Sequence, residues 1–355
     1  MRAMRDFNFH TANVLDYPCY IIAEIGVNHG GDVHLGKEMI RAAKQSGADA
    51  VKFQTFTAET LVTTGTPKVK YQENTTHRDE SHYEMIRKLE LRREDHKTLK
   101  EFCDSQGIDF ISTPYDIQSA VFLDTLGVSM FKTASADLVD LPLQEFLAKT
   151  GKPVIIATGM SSLGEVEVTV NIYRQHHPPK DLRIALLHCV SSYPSSNKSL
   201  NLRAMQTLQA AFGTVVGFSD HSMGFLAATT AVALGAKIIE KHFTLDKAMP
   251  GPDHRASSTP EEFSELVEAI RHTEEVLGAN IKKCQEEERQ MAQVSRKSIV
   301  AAKNISAGER IQLEHLCMKR PGTGLPASAI PEVVNKIARR DLCKDEVLSW
   351  SDVNE

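Results

Sequence analysis

The stretch KIIEKHFTLD (residues 237–246) runs from an apolar start into a carboxylate and an imidazole placed two residues apart. Ile238 and Ile239 suit a buried strand, and in a strand Glu240 and His242 point to one face. GFSDH (217–221) repeats the pattern with Ser219 and His221. Two imidazoles at the ends of adjacent strands, with oxygen donors nearby, suit a borderline divalent ion such as Mn²⁺, Zn²⁺ or Co²⁺. Glu240 and Asp253 could hold water bound to such an ion. Lys52 and Lys132, with the hydroxyls of Thr113, Ser135 and Ser219, offer cations and hydrogen bonds to an anion, a mixture that suits a phosphate together with a carboxylate. The chemistry expected is a small anionic substrate held beside a metal that polarises a carbonyl. Each residue also has a plainer reading: a strand lysine that snorkels outward, or a buried Glu–His pair that braces the fold.

The elements that would position these residues recur along the chain. Strand-like runs are YIIAEIG (20–26), DAVKFQ (49–54), DFISTP (109–114), SMFKTAS (129–135), PVIIATG (153–159), RIALLHC (183–189), TVVGFSD (214–220) and KIIEKHF (237–243). Helical patterns such as HLGKEMIRAAKQSG (34–47) and SMGFLAATTAVALG (222–235) lie between them. Eight alternating strand–helix units predict an α/β fold, a closed (β/α)₈ TIM barrel, with a doubly wound sheet as the alternative. In such barrels the C-terminal strand ends build the site. Here they supply Glu24 (then Asn28 and His29), Lys52 and Gln54, Ser112 and Thr113, Lys132 and Ser135, Thr158, then Ser191, Ser192 and Tyr193, and finally the two His-bearing ends. Burying so many polar groups at one mouth without a ligand would be costly. Residues 55–93 form a connection far longer than most in this fold, expected to cover the site as a partial lid.

The pattern changes near residue 280. The barrel is expected over 1–282, a polar linker over 283–296, and a small domain of short strands and glycine turns over 297–355. The net charge of −5 gives no footprint for nucleic acid, and no apolar run suits a membrane span. The first 17 residues hold no apolar core of a signal peptide. Six scattered cysteines without a CxxC pair look like neither a disulfide framework nor a zinc knuckle, and a reducing cytoplasm is expected.

In order along the chain, IIAEIGVNHGGD (21–32), GADAVKFQTF (47–56), FISTPYD (110–116), TGM (158–160), LLHC (186–189) with YP (193–194), GFSDH, ALGAKIIEKHFTLD (233–246), GPDH (251–254) and KRPGTG (319–324) resemble the sialic acid synthase family. The C-terminal segment is similar to that family's antifreeze-like SAF domain, a β-clip fold. The resemblance implies condensation of phosphoenolpyruvate with an N-acylated mannosamine-type sugar and water, with release of phosphate by C–O cleavage. The N,N'-diacetyllegionaminate branch, which takes a 2,4-diacetamido-2,4,6-trideoxymannose, is the alternative. It implies that His221 and His242 bind the metal, with Mn²⁺ expected and Mg²⁺ or Co²⁺ as alternatives. Glu24, Lys52, Gln54, Tyr193 and Asp253 would lie near the sugar or reacting water, and Thr113, Lys132, Ser135 and Ser219 would contact phosphoenolpyruvate. Arg320 would reach from the small domain into the partner's site in a domain-swapped homodimer and hold the N-acyl group; Gly322 and Gly324 would give its loop a tight exposed turn.

The chain departs from the family at Ala157, where Ser is common, at Ala136 and Asp137, where Gly-Glu is common, and at Ser191 near Tyr-Pro. These positions bear on the acceptor and on anion affinity. Two other functions are weighed: a synthase of the 3-deoxy-sugar-acid class acting on a phosphorylated aldose, and a non-catalytic ice- or carbohydrate-binding protein.

Overall fold

A computed structural model of the chain describes residues 18–76, 79–178 and 181–354. The N-terminal stretch read above for a leader lies outside them. The described residues divide into two compact units between Ala279 and Asn280.

The first unit carries eight parallel strands: β1 (Tyr20–Gly26), β2 (Ala50–Thr55), β3 (Asp109–Pro114), β4 (Phe131–Thr133), β5 (Val154–Ala157), β6 (Ile184–Cys189), β7 (Val215–Asp220) and β8 (Ile238–His242). Their order is β3-β2-β1-β8-β7-β6-β5-β4, and β3 also packs beside β4, so the sheet nearly closes on itself. This is the expected TIM-like barrel. Helices between the strands carry the signals the sequence offers. Val33–Gln45 starts at Asp32, whose side chain accepts from the His34 and Leu35 amides, and Arg93–Gln106 stops at left-handed Gly107.

Alternation along the strands sorts the residues into two cores. Outward side chains such as Ile21, Ala23 and Phe53 pack under the helices. Inward ones, including Tyr20, Ile22, Ile111, Ile155, Leu187 and Ile238, fill the lower barrel. Continuing several inward rows by two residues turns them polar: Ile22 leads to Glu24, Ala50 to Lys52, Met130 to Lys132, and Ile238 to Glu240 and His242. The barrel is therefore an apolar plug with a polar lid layer. Gly217 on β7 keeps the packing tight, since a Cβ there would collide with the Ile238 carbonyl and the Leu187 side chain.

One local reading changes. The fourth strand spans only Phe131–Thr133, and Ser135 opens a 3₁₀ turn (Ser135–Val139) instead of closing the strand. The long connection after β2 folds as short helices at Ala58–Leu61, Lys70–Thr75 and His82–Lys88. The second unit holds an antiparallel pair, β9 (Ser298–Ala301) and β10 (Leu316–Lys319), around a core of Ile299, Ile311, Leu325, Val333 and Leu348.

Candidate active site

A cleft of about 860 Å³, open to solvent, lies over the C-terminal strand ends of the barrel. Of the residues singled out from the sequence, Glu24, Lys52, Gln54, Lys132, Ser135, Tyr193, Ser219, His221, Glu240, His242 and Asp253 line it. The inward rows of β1, β2, β7 and β8 meet there in two layers: Ser219 and Glu240 are level with Ile22, and Glu24, Lys52 and His242 form the layer above.

The floor is a network of charges. Lys52 Nζ sits 2.8 Å from Glu24 Oε2, donates to Thr113 Oγ1 at 3.1 Å, and lies 3.8 Å from Glu240 Oε2. Lys132 Nζ lies 3.7 Å from Glu240 Oε1 and donates to the Thr133 carbonyl at 2.9 Å. Ser219 Oγ donates to Glu240 Oε1 at 3.0 Å, and Gln54 Nε2 donates to Glu24 Oε1 at 3.1 Å. Burial opposes the charge on Glu240, yet Lys132 and then Lys52 outweigh it and hold the carboxyl below its usual range. Burial raises the Glu24 carboxyl, with Lys52 opposing and Glu240 adding to the rise. Burial also works against the Lys52 ammonium, but Glu24 and Glu240 raise it above the ordinary lysine value. These last two shifts favour opposite forms across one contact. The second carboxylate facing Lys52 decides for the ammonium, since that charge stays paired even when Glu24 takes a proton. Lys132 differs: burial lowers it, with Glu240 only partly opposing.

The two imidazoles face each other across one wall, with ring centroids 5.4 Å apart, and Tyr193 packs 4.1 Å from His221 and 5.4 Å from His242. His221 Nδ1 lies 2.9 Å from the Val190 carbonyl, which can only accept, so Nδ1 carries a proton; burial opposes charge on this ring, yet Cys189 and the Val190 carbonyl outweigh it and raise its pKa above the usual histidine value. Burial lowers the His242 pKa well below the usual value, which keeps that ring neutral, and its buried Nδ1 has no hydrogen-bond partner. Two facing imidazoles, one of them held neutral with an unpartnered buried nitrogen, fit a divalent metal, which would displace a proton from the other. Among the described residues no group of three or more His, Cys, Asp or Glu side chains is placed to hold an ion, so substrate and water would complete the shell.

Other singled-out residues are not among the lining. Thr113 is fully buried behind Lys52 and orients its ammonium. Thr158 donates its hydroxyl to the Leu187 carbonyl at 3.0 Å. Ser191 and Ser135 both crowd the space beside Gly159 where a Cβ would sit, and Gly159 N–H donates to Ser135 Oγ at 3.0 Å. Arg320 belongs to the second unit, where it is exposed and its Nε donates to the Ser295 carbonyl at 3.0 Å. Gly322 and Gly324 lack positive φ; each is needed because a Cβ would strike neighbouring backbone, at Ala292 O and Leu348 O respectively. Asn28 leaves the mouth and donates to the Phe243 carbonyl and Ser257 Oγ, bracing β1 against the segment after β8.

The segment after β2, expected to cover the site, does line the cleft, but sequence reading named none of the residues of its apolar wall. Phe56, Leu61, Met85, Ile86 and Leu89 come from the segment after β2 and pack with Val27 and Tyr115. It also missed Cys189, whose Sγ lies 3.6 Å from His221 Nδ1. The period-2 inward row of β6, through Ala185 and Leu187, could have found the cysteine. The wall had no such signal, because its residues come from short helices.

Comparison with known proteins matches the NeuB family over residues 39–282 and the SAF domain over residues 296–354. The chain belongs to the NeuB family. It is 45% identical over 336 residues to an N,N'-diacetyllegionaminic acid synthase of Legionella pneumophila, covering 94% of each chain. The synthase of the same name from Campylobacter jejuni is 43% identical, over 92% of this chain and 98% of its own. An N-acetylneuraminic acid (sialic acid) synthetase from Leptospira borgpetersenii, solved in complex with citrate, superimposes with a TM-score of 0.68 at 34% identity, covering 78% of this chain and 90% of that one. This NeuB-type chain is thus an enzyme of sialic acid-type carbohydrate biosynthesis, and its fold agrees with that membership.

Proposed function

We propose that the chain is a nonulosonic acid synthase that joins phosphoenolpyruvate to an open-chain N-acylated mannosamine-type sugar, and that this sugar is the 2,4-diacetamido-2,4,6-trideoxy form. The observation that carries the reaction is the convergence of two buried lysines, the anionic Glu240 and two imidazoles at one mouth.

In the reaction, C3 of phosphoenolpyruvate bonds to the aldehyde carbon, whose oxygen takes up a proton. Water adds at the C2 left positive and gives up a proton, and the C2–O bond to phosphate breaks. Lys132 and Lys52 hold the phosphate and carboxylate, with Ser135 as a hydrogen-bond donor, while Ser219 keeps its proton on Glu240. Glu240, kept ionised by the lysines, faces the positive charge at C2 and stabilises it as it forms. Glu24, raised by burial, is the carboxyl better suited to carry a proton. Gln54, Tyr193 and Asp253 orient the sugar and water. His221 and His242 would hold a divalent metal, Mn²⁺ first and Mg²⁺ or Co²⁺ otherwise, which when bound supplies Lewis acidity toward the aldehyde oxygen.

The acceptor follows from the apolar wall. Lys52 and Lys132 are the only lysines or arginines among the described lining residues, and both already face carboxylates. A phosphorylated aldose would find no further cation among these lining residues, whereas two acetamido methyls and a C6 methyl suit Leu61, Met85 and Ile86. Two relatives named for N,N'-diacetyllegionaminic acid support the same choice. A phosphate-release assay across both sugars tests it. The trideoxy sugar should exceed N-acetylmannosamine in kcat/KM by about 10-fold or more, the range that small apolar differences command. Parity would overturn the acceptor, and no release with any N-acyl sugar would overturn the reaction class. Phosphoenolpyruvate labelled at its bridging oxygen should deliver the label to phosphate.

The proposal extends to a domain-swapped homodimer in which Arg320 serves the partner's site. It rests on the family resemblance and on the exposure of Arg320, whose planar fork suits an acyl carbonyl. Mixing Arg320→Ala with His221→Ala chains should restore part of the activity that each lacks; formed heterodimers without recovery would refute it. A cytoplasmic setting, suggested by six free cysteines, belongs to the same proposal.

A further inference from the structure

β8 presents Lys241 on the opposite face from Glu240 and His242, toward the helix layer, and there it is nearly fully buried. Its ammonium donates to Asp220 Oδ2 and to the Ser222 carbonyl, both at 2.7 Å. Asp220 Oδ1 in turn accepts from the Ser222 amide at 2.8 Å and its hydroxyl at 2.6 Å. Asp220 and Ser222 are themselves about 1% exposed. These bonds bracket His221 on both sides in sequence. The residue between them is fixed twice more: its carbonyl accepts from the Ser195 amide, and its ring Nδ1 donates to the Val190 carbonyl, each at 2.9 Å.

We propose that the Asp220–Lys241 pair is a positioning device for the site. It locks the turn that ends β7 so that the His221 ring reaches Val190 with Nδ1 and offers Nε2 toward His242. A buried ion pair is weak evidence for stability as such, because desolvation offsets much of the attraction. Here its placement gives it a task. One strand supplies His242 directly and secures His221 through the residue before it, so both imidazoles are referenced to the same backbone. Outer partners of metal-bound histidines commonly act this way. The inference rests on the metal reading only in part, since the orientation of the ring exists with or without an ion.

The test uses the full-length Asp220→Asn/Lys241→Met double variant, which removes both charges together and leaves no buried charge unpaired. Lys241→Met alone serves as the harsher comparison. Two readouts are taken: Mn²⁺ affinity from the electron paramagnetic resonance of free Mn²⁺, and the ¹⁵N resonances of the His221 ring without metal. The variant should keep the far-ultraviolet circular dichroism of the parent and bind Mn²⁺ about 10- to 100-fold more weakly. The His221 signal should move from a fixed Nδ1–H tautomer to an averaged one. Unchanged affinity with an unchanged tautomer overturns the proposal. If the parent binds no Mn²⁺, the metal reading falls alone, and the ring resonances still decide the positioning role. If the double variant does not fold, the pair is a stability element and the proposal is wrong.

Discussion

Ser219 and Glu240 are joined across neighbouring strands, with Ser219 Oγ donating to Glu240 Oε1 at 3.0 Å while Oε2 is buried without a hydrogen-bond partner. The carboxylate is therefore held by one oxygen and presented by the other. Glu240→Gln keeps the shape and the Ser219 contact and removes the charge. Phosphate release should fall by about 10²- to 10³-fold in kcat with a smaller change in KM, as for loss of one preorganised electrostatic group. A variant within a few-fold of the parent would remove Glu240 from the chemistry.

The imidazole pair predicts metal dependence. Chelator should abolish turnover and Mn²⁺ should restore it, whereas His221→Ala and His242→Ala should each stay inactive at any Mn²⁺ concentration. Full activity in the double alanine variant would exclude the two rings as ligands.

Gly159 leaves no space for a side chain: an added Cβ would meet Ser191 Oγ at 2.5 Å and Ser135 Oγ at 2.7 Å. Gly159→Ala should push Ser135 away from the anion and raise KM for phosphoenolpyruvate about tenfold, a cost of about 1.4 kcal/mol. KM for the sugar should change less. Equal effects on both substrates would show general disruption instead.

Lys132 sets the alkaline limit. Burial lowers its pKa below the ordinary 10.5, and only the ammonium holds an anion. As pH rises, the free enzyme loses this proton early, so kcat/KM for phosphoenolpyruvate falls before an ordinary lysine would titrate. Bound anion adds negative charge and pulls the pKa back up, so kcat should persist to higher pH. Coincident alkaline limbs for the two parameters would contradict the assignment.

Much of the barrel was legible because strand period is local: Ile238, Glu240 and His242 declare one face without knowledge of any partner. The floor was legible for the same reason. Partnership was not. Nothing in the sequence distinguishes the Thr158 hydroxyl, spent on the Leu187 carbonyl, from that of Ser219, which reaches Glu240. The wall built by Leu61, Met85 and Ile86 depends on how three short helices pack, and short helices are fixed by tertiary contacts more than by their own pattern. Lys241 was passed over because a lysine between two polar residues reads as solvent-facing until the helix layer above it is seen.

That lysine has one more consequence. A strand slipped by a single residue exchanges its two faces. In β8 such a slip would put an ammonium where Glu240 belongs and bury Glu240 and His242 against Asp220 and the helices. The alternation Glu-Lys-His thus penalises misalignment on both sides of the sheet at once. An insertion or deletion within β8 should be far less forgiving than the substitutions considered above, and evolution of new acceptor preference in this chain is steered away from that strand toward the segment after β2.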